Sequence, residues 1–172
     1  HRTIHVLTHS FPTRRSSDLN NWTGISVELD KTLVEEFAKK RHNHIICGDA
    51  TKLDFENLLD QYFAEKEIAF LQIDIDPAEQ SLLVLTKIPF HIYKFASIVF
   101  EHDKYRNGTY IRNMQRQILH NLGYLLLAAD VKSNKLFEFE DWWINPKLIP
   151  ISKISHFKSK SIHPCQMNWK SF

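Results

Sequence analysis

Apolar residues recur along most of the chain in two alternating rhythms. Residues 24–29, GISVEL, form a short β-rich run. Asp30 follows as a helix cap, and the next segment sets Leu33, Val34, Phe37 and Ala38 on one face against Glu35, Glu36, Lys39 and Lys40. Residues 44–48 predict a second strand ending at Asp49. Asp54 caps a helix with Phe55, Leu58, Leu59, Tyr62 and Phe63 turned inward. Residues 68–75 are almost continuously apolar, the pattern of a strand buried on both faces. Asp76-Pro77-Ala78-Glu79 reads as a helix start, with Asp76 as its cap. Residues 96–100 predict a further strand. Ile111, Met114, Ile118 and Leu122 mark a helical face that Gly123 stops, and residues 124–129 and 136–139 are the last strand candidates. Strands alternating with helices predict an α/β domain with a largely parallel sheet and helices on both faces.

Acids stand at the carboxyl ends of the predicted strands: Glu28, Asp49, Asp74 with Asp76, and Glu101 with Asp103. Ligands of open α/β sheets bind at that edge. One acid per strand–helix unit therefore places the candidate site there.

Composition narrows the class. The formal charge is +2, and Arg2, Arg14, Arg15 and Asp18 account for it, so the rest of the chain is near neutral. No basic field points to nucleic acid. Cys47 and Cys165 have neither disulfide-framework nor metal-knuckle spacing and suit a reducing, cytoplasmic setting. No apolar run is long enough to span a bilayer. The whole chain has four glycines, too few and too scattered for a complete glycine-rich phosphate loop.

Residues 9–19, HSFPTRRSSDL, match the one-frame translation of a common sequencing-library adaptor. Residues 1–19 are accordingly read as an adaptor-derived artefact and set apart from the fold. Residues 20–149 are read as a partial domain, and 150–172, with four lysines and no acid, as a basic C-terminal tail.

GISVELD, CGDATKLDF, FLQIDIDPAEQSLLVL, FASIVFEHDKY and FEDWWINP occur in that order. Together they resemble the FkbM-type, S-adenosylmethionine-dependent methyltransferases across about residues 21–149. The resemblance implies a Rossmann-like sheet whose central first strand ends in a glycine-rich loop. It gives Glu28 the ribose hydroxyls, Asp49 and Ala50 the adenine, and Asp74 the methionine side of the cofactor. It implies methyl transfer to oxygen, on a sugar or another small hydroxyl acceptor. Nothing before Asn20 resembles the strand and its Gly-x-Gly loop. The expectation is thus a truncated, inactive form of a methyltransferase whose intact parent is the enzyme. Residues 3–8 have the strand propensity to fill the vacant central place.

Glu101-His102-Asp103 is the one local cluster with acid–base potential, and His102 is the candidate base for a substrate hydroxyl. Asp74 or Asp76 with Glu101 or Asp103 could hold a divalent cation, but no metal is predicted. Of Trp142 and Trp143, adjacent on a strand, one is expected on the core, and the other either packs at the sheet edge, the favoured reading, or lines a substrate surface. Two other readings stand: a DxD-type, metal-dependent glycosyltransferase built on Asp74-Ile75-Asp76, and a non-catalytic remnant. The methyl acceptor and the oligomeric state are open.

Overall fold

Seven strands form one sheet in the computed structural model, which describes residues 2–8, 23–41, 43–133 and 136–154. The strands are β1 (Arg2–Thr8), β2 (Thr23–Glu28), β3 (His44–Cys47), β4 (Glu67–Ile75), β5 (Lys94–Glu101), β6 (Leu125–Ser133) and β7 (Phe137–Ile144). The helices are α1 (Lys31–Lys40), α2 (Phe55–Tyr62), α3 (Ala78–Lys87), the single turn α4 (Lys104–Asn107) and α5 (Tyr110–Asn121). The strand order is β3-β2-β1-β4-β5-β7-β6.

The helix starts follow local chemistry. Asp30 accepts from the Thr32 amide at 2.8 Å, and Asp54 accepts from the Glu56 and Asn57 amides at 3.1 and 3.2 Å. Asp76 departs from its expected role. Pro77 is the first residue before α3, no side chain caps that helix, and Asp76 turns to Arg106 at 3.2 Å instead. Helix α3 is anchored by Ser81, whose hydroxyl accepts from the Ile75 amide at 2.9 Å.

The sheet is mixed rather than largely parallel. Pairs β2–β3 and β4–β5 are parallel, while β1–β2, β1–β4, β5–β7 and β6–β7 are antiparallel. The parallel units step outward in opposite directions from the centre. Right-handed crossovers then put α1 and α3 on opposite faces.

The central place is filled. Arg2–Thr8 lies between β2 and β4, with Thr3 opposite both Glu28 and Asp74, and Leu7 opposite both Gly24 and Phe70. Residues read from sequence as an artefact outside the fold thus pair with both halves of the sheet. The physical reason is the two inner edges of β2 and β4, whose backbone groups need partners. An extended segment of adequate β propensity satisfies both edges, whatever its origin. It runs against its neighbours, so its Arg2 end, rather than a loop following it, reaches the edge where β2 and β4 finish.

The main core joins Ile25, Val27, Leu71, Ile73, Ile98 and Phe100 of the sheet to Leu59 of α2, Val84 and Leu85 of α3, and Leu119 of α5. A second cluster gathers Ala128, Val131, Trp142, Ile144 and Ile154. Trp142 and Trp143 are both buried, one in each cluster, so neither lines an open surface. The buried stripe of α5 is Ile111, Gln115 and Leu119, shifted from the apolar positions Met114, Ile118 and Leu122. Of the tail, residues 151–154 are described: a short 3-10 turn and the buried Ile154. The rest lies outside the described residues.

Deleting residues 1–8 opens two long strand edges at the centre of the sheet. The expected outcome is a fall in melting temperature of at least about 10 °C, on the scale of about 2–4 °C per kcal/mol for a chain of this size, with concentration-dependent association. Circular-dichroism melts and size-exclusion chromatography check it; an unchanged, monomeric melt would remove β1 from the folded sheet.

Candidate functional site

The carboxyl ends of β2, β3 and β4 meet at a cleft of about 180 Å³. Leu29, Gly48, Asp49, Ala50, Thr51, Ile75, Pro77 and Gln80 line it. Asp49 and Ala50 therefore share a surface with the end of β4, as the spacing of the strand–helix units suggests. The Asp49 carboxylate accepts from the Thr51 hydroxyl at 2.7 Å and the Thr51 amide at 3.0 Å, and Lys52 stands 3.3 Å away. The Thr51 bonds hold it below the ordinary carboxylate range. Glu28 is not among the lining residues. It is buried, and one of its oxygens accepts from the Asp30 amide at 2.9 Å.

A second group of acids stands at the ends of β4 and β5. Asp74 and Glu101 are hydrogen-bonded to each other, and Glu101 also bonds Asp103. Glu140 of β7 lies directly opposite Glu101 and accepts from the Trp142 indole at 2.6 Å. Burial, then the charge of Asp74, pushes the Glu101 carboxyl up to about 9. A group at that value is protonated at neutral pH, which lets one carboxyl donate to its neighbours instead of repelling them. Asp103 is raised as well, by burial and by Asp76, against the pull of Arg106. Asp74, Glu101 and Asp103 are thus brought together, and Asp76 borders them through Arg106.

His102 is not brought to this edge. Strand alternation throws it to the other side of the sheet from Glu101. There it is fully buried beside Asp141, the residue opposite Phe100. Its Nδ1 accepts from the Lys104 amide at 3.1 Å, so the neutral ring carries its proton on Nε2, which faces Asp141 Oδ1 at 3.4 Å. A ring with no exposure and no path to the cleft is not placed to deprotonate a substrate there.

Asp141 is the centre of that buried network. Arg116 binds it through Nε at 2.7 Å and through its terminal nitrogen at 2.8 Å, the Asp130 amide donates to it at 2.8 Å, and the Gln115 amide donates to it too. Burial alone would raise this carboxyl; Arg116 and His102 outweigh burial and hold it at about 2. Ligating atoms of His102, Asp130 and Asp141 all lie within 4.8 Å of one another, a spacing that could hold a metal ion. The charges argue for a salt-bridge network. Arg112 and Arg116 each sit 3.2 Å from Asp130, and Lys104 is 3.9 Å away. A divalent cation would have to enter among three positive groups.

No protein-family model matches the chain, and no curated protein sequence matches it. The family resemblance therefore rests on the ordered motifs.

Sequence reasoning missed Asp130, Arg116 and Gln115. The available signal was Gln115, a polar residue midway between Ile111 and Leu119 on one helical stripe. A polar group on such a stripe needs a buried partner, and Asp141 is that partner.

Asp141→Asn leaves Arg116 without its carboxylate. The expected loss is about 3–5 kcal/mol at neutral pH, the scale for breaking a buried ion pair. The depressed value has a pH consequence of stated sign. Stability from Asp141 is present above its unfolded value of 3.8 and is lost as the pH falls toward about 2. Urea denaturation from pH 2 to 7 should show this acid limb in the wild type and not in the variant. Glu101 has the opposite sign. Its contribution is full below the unfolded value of 4.5 and is lost as the pH rises toward about 9. Glu101→Gln, which needs no proton, is expected to match the wild type near pH 4 and exceed it in stability at pH 8.

Proposed function

We propose that this chain is built on the plan of an S-adenosylmethionine-dependent methyltransferase of the FkbM type, acting in its intact form on a hydroxyl of a sugar or another small acceptor. The observation that carries this reading is the cleft. The ends of the three strands that the motif resemblance assigns to cofactor roles converge there, through Leu29 after β2, Gly48 to Thr51 after β3, and Ile75 and Pro77 after β4. The place between β2 and β4, where the resemblance expects a central first strand, is a strand position in this sheet.

The residues fit part of the cofactor. Leu29, Ala50, Ile75 and Pro77 offer apolar walls for a flat ring, and Asp49 and Gln80 offer polar atoms at its rim. The cleft is smaller than the roughly 300–1,000 Å³ of typical small-molecule sites. At the methionine side, the described residues present no glycine-rich loop. The strand there runs antiparallel, so it directs no following turn of amides toward the cleft. The whole cofactor therefore does not fit this polypeptide, and the reading for the 172-residue chain itself is a domain that is inactive alone.

On the acceptor side, the candidate proton-handling groups are Asp74 and Glu101 rather than His102. The pair shares a hydrogen bond at the carboxyl edge, and Glu101 carries a proton at neutral pH. The glycosyltransferase reading has less support. Arg106 holds Asp76, and Glu101 bonds Asp74, so both acids of the Asp-x-Asp are engaged by groups a cation would displace. Among the described residues no helix is long and apolar enough to cross a membrane.

Calorimetric titration of the chain with S-adenosylmethionine is expected to give no micromolar binding, while adenosine at millimolar concentration perturbs amide resonances of Asp49, Ala50 and Gln80. Micromolar binding of the full cofactor would overturn the partial fit. Adenosine shifts that avoid the cleft would overturn the methyltransferase plan.

A further inference from the structure

Residue Asp103 has a left-handed backbone, with φ at +46°. Residues with a side chain take that conformation rarely, Asp more readily than most, and here the surroundings hold it. Two bonds hold it from the sheet side: the His102 and Asp103 amides both donate to the Phe139 carbonyl, at 2.7 and 3.0 Å. A third spans the strained residue itself, from the Lys104 amide to His102 Nδ1 at 3.1 Å. The imidazole that accepts this bond is fixed in turn. It has no exposure, and its Nε2 faces Asp141, which Arg116 grips with two nitrogens.

We propose that His102 is a positioning residue, whose ring clasps the left-handed turn at Asp103 from behind and thereby sets the Asp103 carboxyl against Glu101 and Asp74. The sequence pattern is economical for this purpose. In Glu101-His102-Asp103 the middle residue is buried on one side of the sheet, and its two neighbours reach the carboxyl edge on the other. Without the clasp, the turn relaxes to an ordinary right-handed or extended backbone, Asp103 swings away, and Glu101, held in the β5–β7 ladder, loses Asp103 and part of its burial. The groups facing Glu101 are Asp74 from β4, Glu140 from β7, and Asp103; Asp76 and Arg106 stand beyond Asp103. Burial raises Glu101 most and these acids add to it, so the proton on Glu101 reports whether the closed carboxyl cluster is kept together.

The test needs neither cofactor nor turnover, so its result is separable from the methyltransferase reading. The full chain, with its glutamate carboxyl carbons labelled with carbon-13, is titrated by NMR, and Glu101→Gln identifies the Glu101 signal. In the wild type that signal should titrate near 9. His102→Asn keeps an oxygen where Nδ1 accepts from Lys104, and should keep the high midpoint. His102→Gln reaches toward Asp141 but abandons Lys104, and should lower the midpoint by more than about one pH unit, a tenfold loss of proton affinity. His102→Leu should fall with the Gln variant. A purely structural role would lower the melting temperature of all three without sorting Asn from Gln. Should the Leu variant not fold, the contrast between Asn and Gln decides. Equal midpoints in the wild type and the Gln variant, or an Asn variant that falls with the Gln variant, would overturn the proposal.

Discussion

The organisation of this sheet depends on the pairing of two inner edges. β2 and β4 each have a parallel partner on the outer side, β3 and β5. On the inner side each presents a row of backbone donors and acceptors that must be satisfied. β1 satisfies both rows at once. That continuity keeps the carboxyl ends of β2, β3 and β4 at a single edge, and the cleft exists because those ends are held side by side. An antiparallel filler meets the hydrogen-bonding demand as well as a parallel one does. The end it delivers to that edge is the start of a strand.

Farther along the sheet, the two-residue period of β5 and β7 separates two electrostatic environments. On one side, Glu101 and Glu140 face each other near Asp74, and protonation relieves their repulsion. On the other, His102 and Asp141 meet beneath α5, and Arg116 and His102 keep Asp141 charged. Glu101 and Asp103 on the first side are raised and Asp141 on the second is depressed. Burial acts on both. The difference is that α5 brings Arg116 against Asp141, while on the other side Arg106 stands at the margin of the acids.

Much of the fold was legible in the chain. Periodicity located every strand from β2 to β6 and the four longer helices, since an apolar period of two or 3.6 residues reports which face must be buried. Caps at Asp30 and Asp54 followed from side-chain chemistry within three residues. The carboxyl-edge acids were legible too, because their spacing tracks the strand–helix units. Asp76 was misassigned because capping chemistry and ion pairing use the same carboxylate, and Arg106, thirty residues away, won the competition.

The tertiary structure alone decided three matters. It decided where residues 2–8 go, because strand propensity says that a segment will pair without saying with what. It decided that Trp142 and Trp143 are both buried, since alternation puts them on opposite faces but only layers on both sides of the sheet close over each. It decided the side on which His102 lies relative to the acids beside it. Local sequence made Glu101-His102-Asp103 look like one cluster; the pleat of β5 splits it, and Arg116 of α5 claims the histidine's side through Asp141. Sequence by itself determines what a segment can pair with or bury. Which of those partners it meets is set by contacts between segments far apart in the chain, and no local pattern encodes them.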